Sequence, residues 1–570
     1  MRRKCGIYMP DCNAIIQSND FYDFLVPLPY EQFKNEFADN CIIPIGQYDS
    51  VIYVNKEQAL ELNYSNYVYT SIPKCYGLTD VDALNAAGVY QIQNQPFLNL
   101  KGQGVMIGFI DTGIDYRNDV FRLNDGTSRI QAIWDQSAEV GTPPEGFLYG
   151  AEYSRAQLNI ALAGDDPLAV VPETDTIGHG TRMAAIAAGN TVMEEQFSGA
   201  APEATLAVVK IKPAKQYLRD FYFIPEGVPA YQENDLILAA KYLVQLAASR
   251  EMPLVICIGL GTSMGGHEGF DMLDRYLQNI SKARDICVVI PSGNEANTGH
   301  HFSDTQTAKG ESQDVELRVG ENVAGFQMEL WASVPDEFSI AVTSPGGEKL
   351  PRVPAITRQG TEYSFIFEET TLRIDYQFAE TRAGSEVIII RFTKPTPGIW
   401  TIQVYGNDVA YGRYHIWLPI SSFLSQDTYF LRSTPETTYT SPAATRDVLS
   451  VGGYNSINGS NYIDSGRGFS PSGRVCPVLV APAVNIRTVA PDNRFTTATG
   501  TSLAAGIAAG AAALLFQWNK KRQGIPIDSV AIIDYLIRGA ERAPGNTYPS
   551  PTEGFGRLDL EGTFESLRID

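Results

Sequence analysis

The sequence predicts an α/β protein whose main domain is built on a parallel sheet, with an all-β domain inserted into it. Between residues 70 and 302 short apolar runs alternate with helical patterns, and the same alternation resumes from residue 436. Strands that alternate with helices are typical of βαβ units and of a parallel sheet layered between helices. In between, residues 310–435 carry only short alternating runs parted by Pro- and Gly-bearing turns, which is the pattern of a β-sandwich, of jelly-roll or similar type.

The elements of the parallel-sheet part follow from their residues in chain order. An apolar run over 105–110 predicts a strand that ends at Asp111-Thr112-Gly113, and small residues over 181–188 predict a helix. After Gly500, residues 503–516 are apolar on all sides, which predicts a buried helix; the run is shorter than the roughly 20 residues that a bilayer requires. The other predicted strands are 204–211, 254–258, 286–290 and 448–452, and the other predicted helices are 234–249 and 269–283.

The chain length and the changes in hydrophobic pattern along it together predict four segments. At 570 residues and 62.5 kDa the chain exceeds what one core usually supports. A small α/β segment with a strand over 51–54 comes first, and the inserted sandwich is expected to use strands at 315–319, 338–342, 387–392 and 399–404. The expected segments are residues 1–69, the first part of the main domain at 70–302, the sandwich at 303–435, and the second part of the main domain at 436–570.

Composition and charge exclude some classes of partner. With 44 Lys and Arg against 65 Asp and Glu, the formal net charge is −21, and such an acidic surface disfavours nucleic acid and anionic membrane. The N-terminus starts basic but has no apolar run of a secretory signal, so we expect no signal peptide. The seven cysteines show no metal-ligand spacing and predict free buried thiols, which suit a reducing compartment.

Three short motifs carry residues for nucleophilic catalysis, in the order Asp, His, Ser. Asp111 follows the first predicted strand, His179 lies in Gly-His-Gly-Thr, and Ser502 lies in Gly-Thr-Ser at the start of the apolar helix. A serine hydroxyl becomes a good nucleophile when a histidine removes its proton and a carboxylate orients that histidine. Each motif alone has another interpretation: an Asp-Gly turn, a loop histidine, or a helix cap. Their joint occurrence favours the catalytic interpretation.

Two further motifs follow predicted strands of the same sheet. Ser292-Gly293-Asn294 follows strand 286–290, and Gly259-Leu260-Gly261 follows strand 254–258. An asparagine after glycine also occurs in left-handed turns, so Asn294 by itself does not distinguish a turn residue from a catalytic one. Its place between the histidine and the serine motifs favours a role beside the serine.

These motifs resemble those of the subtilisin-like serine proteases, which use the same chain order of triad residues. The resemblance implies that Asp111 orients His179, that His179 is the general base and then acid, and that Ser502 is the nucleophile. It implies that Asn294 donates to the oxyanion and that Gly259, Leu260, Gly261, Ser292 and Gly293 bind substrate. The chain departs from the family where a serine usually stands at Gly259 and a histidine at Arg182.

The layout, with a sandwich between the asparagine and the serine, is similar to that of the clostridial Csp-type spore-germination proteases. That resemblance implies that residues 1–69 are a prodomain that assists folding and inhibits the enzyme. We expect self-cleavage at Tyr69–Thr70, give or take two bonds, with the prodomain retained non-covalently. The resemblance also implies a protein or peptide substrate, with activation of a zymogen as one expectation, and a cytoplasmic, spore-associated or non-Sec-exported protein.

Two classes of function stay open from the sequence. One is an active endopeptidase that requires no cofactor or metal for its chemistry, with structural calcium left open. The other is a regulatory pseudoprotease or scaffold whose cleft is permanently occluded. All three triad residue types are present, which favours the enzyme.

Overall fold

Each strand and helix that the sequence predicts is present, with ends shifted by a few residues, and the structure adds further strands and helices. The computed structural model describes residues 12–27, 41–45, 49–78, 85–93, 95, 98–305, 307–356, 360–378 and 385–568. In chain order the strands are β1 (Phe21–Val26), β2 (Cys41–Pro44), β3 (Ser50–Asn55), β4 (Cys75–Leu78), β5 (Met106–Asp111), β6 (Ile130–Asp135), β7 (Ala151–Ser154), β8 (Thr205–Lys210), β9 (Tyr231–Gln232), β10 (Leu254–Ile258), β11 (Leu260–Gly261), β12 (Ile286–Pro291), β13 (His301–Asp304), β14 (Ser312–Val319), β15 (Gly325–Ser333), β16 (Glu337–Thr343), β17 (Lys349–Val353), β18 (Thr361–Ser364), β19 (Thr371–Phe378), β20 (Ser385–Thr393), β21 (Gly398–Asp408), β22 (Tyr414–Trp417), β23 (Tyr429–Phe430), β24 (Leu449–Tyr454), β25 (Leu479–Pro482), β26 (Ile486–Ala490) and β27 (Arg494–Ala498). The helices are α1 (Cys12–Gln17), α2 (Val89–Gln93), α3 (Arg155–Ala163), α4 (Pro167–Val170), α5 (His179–Ala188), α6 (Gln216–Phe221), α7 (Glu233–Ser249), α8 (Met272–Ser281), α9 (Thr501–Lys521), α10 (Ser529–Gly539) and α11 (Leu560–Ser566).

A central sheet carries the ends of the strands that lead to the sequence motifs. Its strand order is β25-β24-β12-β10-β5-β8-β6-β7, and every neighbouring pair is parallel except β6 and β7. Strands β5, β10 and β12 are buried along their whole length, as strands covered on both faces are. The α/β class with a parallel sheet is confirmed. The motifs predicted neither β6 nor the antiparallel edge strand β7.

Helix α9 is the long apolar helix that the sequence predicts. It packs against α5 and against the strands β10, β12 and β24. Its length and composition would suffice to cross a membrane, and 94% of its most apolar stretch is buried inside the fold. Small residues such as Gly506 let α9 approach α5 closely, because a Cβ at this position would lie 3.2 Å from the Met183 carbonyl oxygen.

The inserted segment forms two antiparallel sheets packed face to face. One has the order β13-β22-β15-β20-β19-β18 and the other β17-β16-β21-β14-β23. Alternate residues of the two sheets, among them Leu330, Ile388 and Ile402, build a core separate from that of the central sheet. This confirms the inserted all-β domain.

The N-terminal segment packs on the central domain and forms a small sheet of order β1-β3-β2 with α1 beside it. Cys12 and Cys41 are disulfide-bonded, so the prediction of free thiols is wrong for this pair. Helix α1 brings Cys12 beside β2, which the cysteine spacing could not show. Cys75, Cys257, Cys287 and Cys476 are free and buried, as predicted, and Cys5 lies outside the described residues.

Candidate active site

The structure brings Asp111, His179 and Ser502 together at the carboxyl edge of the central sheet. His179 Nδ1 lies 2.7 and 2.9 Å from the two carboxylate oxygens of Asp111. On the other side of the ring, Nε2 lies 3.2 Å from Ser502 Oγ. All three side chains are buried, with 0%, 3% and 0% of their surfaces exposed. The hydroxyl contacts the imidazole, and the imidazole contacts the carboxylate. This arrangement allows the serine proton to move onto the ring.

Each of the three residues lies where an element ends or begins. Asp111 is the last residue of β5, His179 the first of α5, and Ser502 lies in the first turn of α9. The close approach of α5 to β5 requires Gly180, because a Cβ there would lie 2.2 Å from the Gly113 carbonyl oxygen. The N-terminus of α9 directs its helix dipole toward the serine, which favours negative charge at this point.

Asp175 organises the loop before His179, although it lies outside the sequence motifs. Its Oδ1 accepts hydrogen bonds from the Thr112 hydroxyl (2.8 Å) and the Gly178 amide (2.7 Å). Its Oδ2 accepts from the amide (2.9 Å) and the hydroxyl (2.8 Å) of Thr181. Asp175 therefore ties the residue after Asp111 to the first turn of α5. The signal available in the sequence was an aspartate just before a helix start, where capping residues occur.

Asn294, the predicted oxyanion donor, lies beside the start of α9. Its Oδ1 accepts hydrogen bonds from the Thr501 amide and the Thr501 hydroxyl, both at 3.2 Å. These two bonds fix the carboxamide plane next to the residue that precedes Ser502. The side chain is partly exposed, whereas the neighbouring Ser292 and Gly293 are buried.

Ser292 lies in the interior of the fold. It is fully buried at the end of β12, its amide donates to the Val451 carbonyl, and its hydroxyl lies 3.4 Å from that of Ser465. The Ser292 side chain therefore faces β24 and the interior, and substrate binding by residue 292 stays a prediction. Gly293 adopts a φ of +86°, and a Cβ there would lie 2.6 Å from the Thr440 hydroxyl, so the turn requires glycine.

Gly259 packs directly on the Asp111–His179 pair. A Cβ at this position would lie 2.0 Å from Asp111 Oδ2 and 2.9 Å from His179 Cε1. The absence of a side chain where subtilisins usually carry serine thus leaves room for the carboxylate. The following residues Leu260 and Gly261 form β11, which faces another strand of this chain.

The chain's own strand β4 lies between β11 and β9, antiparallel to both. Leu78 pairs with Leu260, Gly77 with Gly261, and Cys75 with Gln232. The predicted cleavage residues Tyr69 and Thr70 lie upstream, in the 3-10 turn Tyr69–Ser71, and are not brought to this sheet.

Tyr69 is anchored away from the serine. Its hydroxyl donates to Glu329 Oε2 (2.7 Å) and its amide to Gln377 Oε1 (3.0 Å), both on the sandwich, and its side chain is 2% exposed. A bond in a short helical turn held by buried partners cannot enter a cleft as an extended strand. The prediction of cleavage at Tyr69–Thr70 therefore does not fit the structure.

Within the described ranges, no group of three or more His, Cys, Asp or Glu side chains is arranged to hold a metal ion. A buried carboxylate, an imidazole and a hydroxyl beside a helix N-terminus and an asparagine form the arrangement of a hydrolase with a nucleophilic serine.

Comparison with known proteins agrees with this class. The Subtilase family (peptidase S8) matches residues 102–315 and 405–556, so the interruption falls within the inserted sandwich. The chain therefore belongs to the subtilase family, a family of serine endopeptidases.

Three similar proteins illustrate the range of the family. The solved structure of the Clostridium perfringens CspB protease has a TM-score of 0.76 and 30% identity, covering 85% of this chain and 96% of that one. The C5a peptidase of Streptococcus pyogenes is 22% identical over 442 residues, covering 73% of this chain and 35% of its own length. The subtilisin-like protease SBT1.9 of Arabidopsis thaliana is 32% identical over 160 residues, covering 25% of this chain and 19% of its own. The chain thus spans about a third of the length of the C5a peptidase and about a fifth of the length of SBT1.9.

Proposed function

We propose that this protein is an endopeptidase that hydrolyses peptide bonds through an acyl-enzyme on Ser502. The observation that carries the proposal is the continuous contact from Asp111 through His179 to Ser502, at 2.7 and 3.2 Å. A scaffold needs no such sequence of contacts, whereas proton transfer does. Membership of the subtilase family supports the same function.

The geometry supports one order of proton transfers. His179 Nε2 takes the Ser502 proton while Oγ bonds to the carbonyl carbon, and Asp111 holds the ring and stabilises its positive charge. The resulting oxyanion is stabilised by the Asn294 carboxamide and the Ser502 amide. When the carbon–nitrogen bond breaks, His179 gives its proton to the leaving amine. Water then enters and gives a proton to His179 while its oxygen bonds to the acyl carbon. The ester bond to Ser502 Oγ breaks, His179 returns the proton to Oγ, and the carboxylic acid product leaves.

We propose further that the enzyme processes its own chain just after Leu78, and not at Tyr69–Thr70. Strand β4 lies on β11 as an extended peptide substrate would, and main-chain pairing with an open strand is a common mode of peptide binding. Leu78 pairs with Leu260, and the residue before Leu260, Gly259, packs on His179. The bonds that come next along the chain are therefore the best candidates for cleavage.

The N-terminal segment is proposed to stay bound after this cleavage. Asp23 of β1 is fully buried and its carboxylate lies 2.5 Å from Lys215 Nζ, while its second oxygen accepts from Gln232 (2.9 Å). Separating a buried ion pair exposes two charges that are uncompensated until water reaches them. Such a contact favours slow dissociation. A zymogen as the external substrate is carried over from the resemblance and rests on likeness to the CspB protease alone.

A second candidate function is regulation without turnover. It is favoured by two observations: Ser502 is fully buried, and β4 occupies the strand position on β11. In that case the N-terminal segment would never leave the strand position on β11.

The test combines a serine-directed probe with mapping of the N-terminus. Purified wild type should react with a fluorophosphonate and run as two pieces on a denaturing gel, with a new N-terminus one or two residues after Leu78. Both pieces should co-elute in gel filtration. The matched Ser502→Ala protein should stay unlabelled and uncut. A labelled but uncut wild type would refute the processing, and an unlabelled, uncut wild type with native circular dichroism would support regulation.

A further inference from the structure

Lys74 has a buried ammonium group just before strand β4. Its side chain is 2% exposed, Nζ lies 2.8 Å from Asp271 Oδ1, and it lies 5.0 Å from the centre of the Tyr69 ring. A buried lysine is costly unless it is paired. Burial lowers the pKa of Lys74, but Asp271 and Glu233 outweigh this effect and raise it, so the group is charged.

Carboxylates from both domains surround this ammonium group. Asp271 caps α8, Asp274 lies in its first turn, Glu233 begins α7, and Glu329 lies on β15 of the sandwich. We call these four residues the acidic pocket, and all four side chains are buried. Burial raises the pKa values of Glu233, Asp274 and Glu329, because a charged carboxylate is poorly solvated inside the pocket.

The main chain at Lys74 is held as firmly as the side chain. The Glu233 amide donates to the Lys74 carbonyl (3.0 Å), and the Lys74 amide donates to Glu233 Oε2 (3.4 Å). The pocket therefore has a fixed place relative to β4. Lys74 is four residues before Leu78, the partner of Leu260, which in an extended chain is about 13 Å.

We propose that the acidic pocket is a specificity subsite that selects peptide substrates with a lysine four residues before the residue paired with Leu260. The proposal rests on the proposed endopeptidase function and adds its substrate class. Any peptide that takes the place of β4 presents its side chain at that position to the pocket. Without a cation, the peptide would leave several buried carboxylates with no positive partner, which disfavours its binding.

Glu329 makes the sandwich part of this subsite. Its Oε2 accepts hydrogen bonds from Tyr69, from the Gly265 amide (3.0 Å) and from the Trp331 ring (2.9 Å), so the carboxylate is held rigidly. The inserted domain thereby supplies one wall of a pocket whose other walls are the first turns of α7 and α8. A held carboxylate selects charge better than a mobile one.

Three quenched fluorescent peptides that copy residues 71–84, with serine in place of cysteine, test the proposal on processed wild type from which the N-terminal segment has dissociated. One keeps lysine at the position of Lys74, one carries norleucine there, and one exchanges positions 74 and 75, which turns the lysine to the opposite face of the strand. The norleucine peptide should have a kcat/KM lower by about 30-fold or more, mainly through KM, as loss of one partner of a buried charge pair implies. The exchanged peptide should behave like the norleucine peptide.

A protein variant provides the second arm. Asp271→Asn keeps the shape of the pocket and should bring the lysine-to-norleucine ratio close to one. Asp447→Asn is the matched control, because Asp447 pairs with Lys282 at the end of the same helix α8 but not with Lys74. Equal hydrolysis of all three peptides by wild type would overturn the subsite and leave the proposed function standing. No hydrolysis of any peptide, with no probe labelling of Ser502, would overturn both.

Discussion

Gly259→Ala should damage the site with the smallest change that the chain allows there. The added methyl carbon would lie 2.0 Å from Asp111 Oδ2, 2.9 Å from His179 Cε1 and 3.1 Å from Met183 Cε. Non-bonded heavy atoms settle at about 3.5 Å, so the carboxylate must retreat by roughly 1.5 Å. A displacement of about 1 Å in a catalytic group can lower the rate about 10²-fold, and we expect a loss of kcat/KM at least that large.

The assay compares kcat/KM for a fluorogenic peptide with the extent of self-processing and the thermal midpoint. Gly164→Ala is the control, because its Cβ would meet nothing nearer than the Ala161 carbonyl oxygen at 3.6 Å. Restoring the usual subtilisin residue with Gly259→Ser should also lower activity, since serine carries the same Cβ. A folded Gly259→Ala protein with kcat/KM within about threefold of wild type would refute the reasoning.

Three further predictions follow from the contacts described above. Asn294→Ala should lower kcat by about 10²–10³ with little change in KM, as loss of one oxyanion donor does, and an unchanged kcat would make Asn294 a turn residue only. Asp175→Asn replaces an acceptor of four hydrogen bonds by a group that also donates, and should lower the free energy of unfolding in urea by about 3 kcal/mol. Burial, followed by Asp271, raises the pKa of Asp274 to about 7 from an ordinary 3.8, so the folded state holds a proton that the unfolded state has lost. This contribution to stability is complete below pH 3.8 and is lost as the pH rises through 7; Asp274→Asn should flatten the fall in urea midpoint between pH 5 and pH 8, and parallel curves would contradict it.

The fold class and the core of the site could be predicted because their signals are local. Asp111, His179 and Ser502 each lie at the end of an element whose period and flanking glycines can be read within a few residues. The parallel sheet and the sandwich follow from the change of period alone.

The parts that could not be predicted depend on pairing between distant segments. Aromatic and β-branched residues predict an extended segment at Tyr69. The strand that pairs with β9 and β11 is instead β4, and those two partners lie far along the chain. The inward orientation of Ser292 depends on how β12 meets β24. The acidic pocket joins residues of the three separate elements α7, α8 and β15, so no local sequence pattern predicts it.

The position of β4 also determines how external peptides compete for the cleft. A segment tethered in the same molecule has an effective concentration in the millimolar range, whatever the protein concentration. A free peptide at about 10 µM with equal affinity would then occupy the strand position in roughly one molecule in a hundred. Dilution should therefore leave the rate of self-processing unchanged, because the reaction is first order. The onset of activity on other proteins would depend on the dissociation rate of the N-terminal segment. That rate does not depend on the concentration of the external substrate.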